Sequence, residues 1–130
     1  MAHFSESSKS KLKSCRAELQ TLFKEVIKSF DCTVLQGYRG QKQQNLLFDQ
    51  GKTKVRFPDS KHNDKISMAV DVAPYPINWE DRERFHYFAG YVKGTACFMG
   101  ITVRWGGDWD NDTKVDDNSF DDLPHYELVD

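Results

Sequence analysis

The segment Ser60-Lys61-His62-Asn63-Asp64-Lys65-Ile66-Ser67-Met68-Ala69-Val70-Asp71-Val72-Ala73-Pro74 decides how the chain is read. Its second half alternates: Met68, Val70 and Val72 fall on one face of an extended strand, and Ala69, Asp71 and Ala73 on the other. The large apolar side chains suit a core. The two alanines leave expected space beside Asp71, and Pro74 and Pro76 close the strand. His62 stands nine residues before Asp71. A second stretch, Asp122-Leu123-Pro124-His125-Tyr126-Glu127-Leu128, carries another imidazole with carboxylates on both sides. Two histidines and one carboxylate around an open position is a common catalytic zinc arrangement, and a nearby carboxylate can serve as base for a water.

Working outward, residues 9–30 place Leu12, Cys15, Leu19, Leu22, Phe23, Val26, Ile27 and Phe30 at helical spacing, with N-cap candidates in Ser5–Ser8 and an end at Asp31. Cys32–Gln36 reads as a short strand closed by Gly37, and residues 41–50 as a weaker, Gln-rich helix stopping at Gly51. Residues 52–65, interrupted by Pro58, read as loop. Asn78 is the expected N-cap of a helix that has Trp79-Glu80-Asp81 in its first turn and runs to Met99. That helix buries Phe85, Phe88, Val92, Ala96 and Met99 and stops at Gly100. Ile101–Trp105 and His125–Val129 are the remaining strands, joined by an acidic loop from Gly106 to Asp122. This order predicts an α+β fold, a small single domain over residues 1–130 with an antiparallel sheet flanked by helices.

Composition narrows the classes. A chain of 130 residues can bury a core without staples, and no apolar run approaches the ~20 residues of a membrane span. The polar N-terminus lacks the apolar centre of a secretion signal, so synthesis in a cytoplasm is expected, with action elsewhere only after release. Cys15, Cys32 and Cys97 show no CxxC pairing and are read as buried thiols. The net charge of -2 divides into +6 over residues 1–65 and -8 over residues 66–130. No basic stripe with interleaved aromatics appears, which argues against a nucleic-acid partner, while the basic half favours approach to an anionic polymer such as a cell wall.

Of the four histidines, His3 lies at the terminus and His86 within an aromatic-rich helix, and neither is expected to be catalytic. Asp108-Trp109-Asp110-Asn111-Asp112, with Asp116 and Asp117, begins like an EF-hand calcium loop, but Thr113 replaces the required Gly and Ser119 the bidentate Glu. A different Ca2+ site within Asp108–Asp117 and a solvated loop both remain open. Trp105 and Trp109 either line a groove or pack the loop.

Ser60-Lys61-His62, Ala69-Val70-Asp71-Val72-Ala73-Pro74 and Asp122-Leu123-Pro124-His125-Tyr126-Glu127-Leu128 together resemble the signature of the D-alanyl-D-alanine carboxypeptidase/L-alanyl-D-glutamate peptidase family. These are zinc peptidoglycan peptidases that include phage endolysins. Gln36-Gly37-Tyr38-Arg39 and Ile101–Trp109 also resemble its phage members, so the likeness runs from about residue 12 onward. The resemblance implies zinc (Zn2+) held by His62, Asp71 and His125, with Asp122 as general base. It departs from the family in one respect: the first His and the Asp are often seven residues apart with a Gly between, whereas here the gap is nine without one. A two-residue insertion before the strand accounts for it.

Asp121 and Glu127 are rivals for the base. Asp122 is favoured because Pro124 restricts Leu123 and stiffens the approach to His125, which leaves Glu127 as a carboxylate supporting a ligand. Arg39, at the end of its strand, either holds a substrate carbonyl or carboxylate or forms a surface salt bridge. Ser60 and Lys61 either orient the His62 loop or are solvated. The expected activity is hydrolysis of a stem-peptide amide, L-Ala–D-Glu first, by a monomer that neither inserts in a membrane nor binds nucleic acid. The alternatives are a D,D-carboxypeptidase and a non-catalytic wall-binding or phage structural module.

Overall fold

The computed structural model describes residues 2–116 and 121–129. The decisive alternation becomes strand β2, Ala69–Pro74, the second strand of a four-stranded antiparallel sheet. Its neighbours are β1 (Cys32–Gln36) on one side and β4 (His125–Leu128) on the other, with β3 (Val103–Trp105) at the far edge, giving the order β1-β2-β4-β3. Register matters most between β2 and β4, where Asp71 pairs with His125, Val70 with Tyr126 and Ala69 with Glu127. Because side chains alternate, this one register puts Asp71, His125 and Glu127 on one face and Val70 and Tyr126 on the other. A slip of one residue would bury the carboxylate and expose the tyrosine.

The apolar face is covered by helices. Helix α2 (Ala17–Val26) contributes Leu19, Leu22, Phe23 and Val26, and α4 (Arg82–Met99) contributes Phe85, Phe88, Ala89, Val92 and Ala96, all buried. Tyr126 sits between them, edge-on to Phe23 and Phe88 with ring centroids 5.5 and 6.3 Å away. Helix α4 ends as expected at Gly100, whose φ of 74° is the left-handed conformation glycine adopts without penalty. Helix α3, Gln41–Asp49, lies beside the chain that leads to the site.

Four expectations need correction. The periodic stretch 9–30 is two helices, α1 (Glu6–Lys13, capped by Ser5) and α2, broken at Ser14–Arg16. There the backbone leaves the helix to pair with the segment ahead of β2: Ser67 N donates to Ser14 O and Arg16 N to Ser67 O, both at 2.9 Å. Cys15 mimics a helical core position because it is buried at this bridge. Helix α4 starts three residues later than predicted. Asp81, not Asn78, caps it by accepting from Arg84 N, while Asn78 accepts from Glu80 N in the preceding turn. Cys15 and Cys32 are buried, but Cys97 is exposed on the outer side of α4. Finally, Ala69 and Ala73 open no space beside Asp71, because both are fully buried in packed structure. No helix among the described residues is long and apolar enough to cross a membrane.

Candidate metal centre

His62 reaches the sheet from outside it. Residues 52–65 are loop except for one 3₁₀ turn, Lys61–Asn63, that begins with a reciprocal cap: Ser60 Oγ accepts from His62 N, and Asn63 Oδ1 accepts from Ser60 N. Arg39 N donates to His62 O at 2.7 Å, tying the turn to the end of β1. Ser60 therefore orients the His62 loop. So does Lys61, whose Nζ donates to Leu128 O at 2.5 Å and lies 3.5 Å from Glu127.

The result is a convergence on one atom. His62 Nε2 and His125 Nδ1 each lie 3.2 Å from Asp71 Oδ1, and the two rings are 5.1 Å apart between centroids. Each imidazole's other nitrogen is committed. His62 Nδ1 donates to Gly37 O at 2.8 Å, and His125 Nε2 donates to Glu127 Oε1 at 2.8 Å. Both partners are acceptors only, so they fix the tautomers. In the neutral rings the nitrogens that face Asp71 are then bare lone pairs, which together with a carboxylate oxygen make three donors crowded around one point. All three side chains are largely buried (His62 1%, His125 7% exposed). Such an arrangement is repulsive unless positive charge sits among the donors, so the residues fit a divalent cation.

The titration behaviour agrees. Burial alone would lower His125, but hydrogen bonds to Asp71 and Glu127 overcome it and raise the imidazole to about 9. Burial opposes ionisation of Asp71, and the two imidazoles outweigh it, holding its carboxyl well below the usual carboxylate range. Glu127 is likewise disfavoured by burial yet held below its ordinary value by His125, Lys61 and Arg104.

The remaining predicted residues divide. Asp122 lines the same cleft, which has a volume of about 470 Å³. Burial and the negative Asp71 push its carboxyl up, against the opposing charges of His125, His62 and Arg39. Its backbone is pinned to the site: His125 N donates to Asp122 O at 3.0 Å and Asp122 N to Gly106 O at 2.8 Å. Asp121 does not join the cleft and pairs with Arg82. Glu127 holds His125 and is itself held by Lys61 and by Arg104 at 3.6 Å.

Arg39 is buried rather than on the surface, with Nη2 3.6 Å from Asp71 Oδ2 and Nη1 donating to Gln44 Oε1 at 3.0 Å. Trp109 lines the cleft with its ring 5.3 Å from that of His125. Trp105 is a packing residue, buried and donating through Nε1 to Leu123 O. His86 takes no part: it is bonded to Arg82 O and lies edge-on to Trp105. Asp108, Asp110 and Asp112 form a second acidic group, in which Asp108 accepts from Asp112 N and Thr113 N. Asp117 and Ser119 lie outside the described residues.

Sequence reasoning missed Gln44. Fully buried on α3, it accepts from Arg39 and Asn63 and donates to Val55 O at 2.7 Å. A glutamine in a Gln-rich segment carries no mark that distinguishes it. It also missed the role of Gly37, whose carbonyl orients His62 and whose Cα packs so tightly that a Cβ there would stand 2.2 Å from Lys11 O.

A family model described as phage L-alanyl-D-glutamate peptidase matches residues 1–129. The chain is 28% identical over 135 residues to the L-alanyl-D-glutamate peptidase of Escherichia phage T5, covering 97% of each. It is 28% identical over 120 residues to the peptidoglycan L-alanyl-D-glutamate endopeptidase CwlK of Bacillus subtilis, covering 78% of this chain and 63% of that one. The crystal structure of the Serratia marcescens L-Ala D-Glu endopeptidase ChiX superposes with a TM-score of 0.78 at 22% identity, over 98% of this chain and 90% of that chain, a likeness of fold.

Proposed function

The chain belongs to the phage L-alanyl-D-glutamate peptidase family, and from that membership we propose that it hydrolyses the L-Ala–D-Glu amide of bacterial peptidoglycan stem peptides, using one zinc ion held by His62, Asp71 and His125. The protein is a peptidase, and its relatives carry that bond in their names. What supports the zinc assignment is the pair of imidazole nitrogens turned on a single carboxylate oxygen, each 3.2 Å away, with both outer nitrogens bonded to acceptors.

Zinc bound there supplies Lewis acidity, polarising the scissile carbonyl and bringing the pKa of a bound water to roughly 7. The chain's own residues do the rest. Asp122, on the wall of the same cleft, takes a proton from the attacking water and returns it to the leaving amine, and a carboxyl raised above its ordinary range suits both halves of that cycle. Arg39, at the base of the cleft, neutralises the outer oxygen of Asp71 and adds positive charge where oxyanion character develops. Gly37 O and Glu127 hold the imidazoles in their ligating tautomers. Asp71 and Asp122 are thus two carboxylates whose surroundings drive their proton affinities apart, one downward and one upward, which separates ligand from base.

The deciding experiment incubates purified, zinc-loaded protein with peptidoglycan and analyses the products by mass spectrometry. The proposal expects stem peptides that begin at D-Glu, with activity abolished by chelation and restored by zinc. Release of single alanine instead would identify a D,D-carboxypeptidase. Intact wall would leave a binding module.

A further inference from the structure

We infer that Gln44 is a positioning residue for the hydrolysis: its buried amide aims the guanidinium of Arg39 at the metal centre without neutralising its charge. This rests on the reading above in which Arg39 supplies positive charge where oxyanion character develops.

Helix α3 is packed the wrong way round for a helix held by apolar burial. Of residues 41–49, Gln44 is the one that is buried, at 0% exposure, while Leu46 is left 55% exposed. Taking an amide out of water costs free energy unless its polar atoms find partners. Both do here. Oε1 accepts from Arg39 Nη1 at 3.0 Å and from Asn63 Nδ2 at 3.3 Å, and Nε2 donates to Val55 O at 2.7 Å. These partners also decide which way the amide faces, since a guanidinium can only donate and a backbone carbonyl can only accept.

The guanidinium depends on that contact. Its Nε has no partner among the described residues, and Nη2 stands 3.6 Å from Asp71 Oδ2, an ion-pair distance rather than a hydrogen bond. The Nη1 bond to Gln44 therefore sets the rotation of a planar group whose charge must fall on the reacting side of the site. The backbone of Arg39 is fixed separately, by Asn63 Nδ2 donating to Arg39 O at 2.9 Å and Arg39 N donating to His62 O at 2.7 Å. Removing the Gln44 amide thus frees the guanidinium and leaves His62 held by Ser60, Gly37 and Arg39 N.

A glutamate in the same place would accept from Arg39 equally well. It would also pair with it, leaving the guanidinium less charge to offer a developing oxyanion. A neutral acceptor holds the cation and keeps its charge for the substrate.

The test is a double-mutant cycle on soluble muropeptides with zinc-loaded wild type, R39A, Q44M and R39A/Q44M, reading kcat, KM and zinc content. Q44M keeps the volume of the side chain and should lower kcat by on the order of 10–10²-fold, the scale of a ~1 Å misplacement. KM should hold, because the contact is made in the transition state, and one zinc should stay bound. On top of R39A the same change should alter kcat by less than about twofold, since a residue that acts through Arg39 has nothing left to position. Wild-type kcat in Q44M, a loss that recurs in full on top of R39A, or activity lost in step with zinc overturns the inference. Should Q44M fail to fold, Q44E decides, because it keeps both accepted bonds: kcat should fall in the Arg39 background and not in R39A, and wild-type kcat or a full loss in both backgrounds overturns the inference. Wild-type turnover in R39A removes the inference and leaves the peptidase assignment standing. No cleavage by the zinc-loaded wild type removes the assignment as well.

Discussion

Gly106→Ala tests how the base is positioned. A Cβ on Gly106 would stand 2.1 Å from Asp122 O and 2.9 Å from its carbonyl carbon, where ordinary contact begins at 3.4 Å, so the two backbones must part by about 1.3 Å, the difference between 3.4 and 2.1. Two hydrogen bonds lie across that contact, Gly106 N to His125 O and Asp122 N to Gly106 O, each 2.8 Å. Losing both costs about 1–3 kcal/mol. The stiffer unfolded chain returns about 0.4–1 kcal/mol, for a net loss of roughly 1–2 kcal/mol. For a chain of this size that is a fall in Tm of about 5 °C. Catalysis should suffer more, because a displacement of ~1 Å at a reacting group costs on the order of 10²-fold in kcat. Zinc should stay bound, since His62 and Asp71 are untouched and β4 remains paired to β2. The assay is kcat alongside zinc content and thermal melting. Gly94→Ala is the contrast: a Cβ there meets nothing within 4 Å in the middle of α4, so that variant should gain up to about 1 kcal/mol and keep its activity. Wild-type turnover in Gly106→Ala would refute the claim that this backbone contact places Asp122.

Three further outcomes follow from the same geometry. Asp122→Asn should lower kcat by about 10²–10⁴ with zinc retained, whereas Asp121→Asn loses only its pairing with Arg82 and should stay within a few-fold of wild type, a comparison made by steady-state kinetics. Tyr126→Phe removes a fully buried hydroxyl that has no partner among the described residues, so stability should be unchanged or rise by about 1 kcal/mol, and a loss in chemical denaturation would reveal a hidden partner. Burial pushes the Cys15 and Cys32 thiols up to about 12, from 9.0 unperturbed. A thiol reagent at pH 8 should therefore modify one cysteine, the exposed Cys97, in native protein and three after unfolding. Because both folded values are raised, their contribution to stability is present below pH 9 and is lost as pH climbs towards 12.

What could be read from the sequence had a local cause. The β2 alternation, the Gly100 stop and the Ser5 cap each follow from a few adjacent residues, and each appears in the structure. The site residues were legible because the chain has only four imidazoles and their pairing with a carboxylate is chemically distinctive, and His62, Asp71 and His125 do meet. What was not legible depends on partners far along the chain. Cys15 fits a helical stripe perfectly well, and only Ser67, more than fifty residues on, pulls it out of the helix. Ala69 and Ala73 looked like free space because small side chains leave room in a strand read alone; packing from the other elements fills it. Gln44 and Gly106 matter through backbone approaches that no periodicity encodes.

Zinc K-edge absorption spectroscopy of the purified protein reads the ligands of the ion at His62, Asp71 and His125 without reference to activity. One zinc per chain should be found, with two imidazoles and carboxylate or water oxygen at about 2.0–2.2 Å, and His125→Ala should lose it. A sulfur scatterer near 2.3 Å, or a full equivalent of zinc retained by His125→Ala, would contradict the assignment.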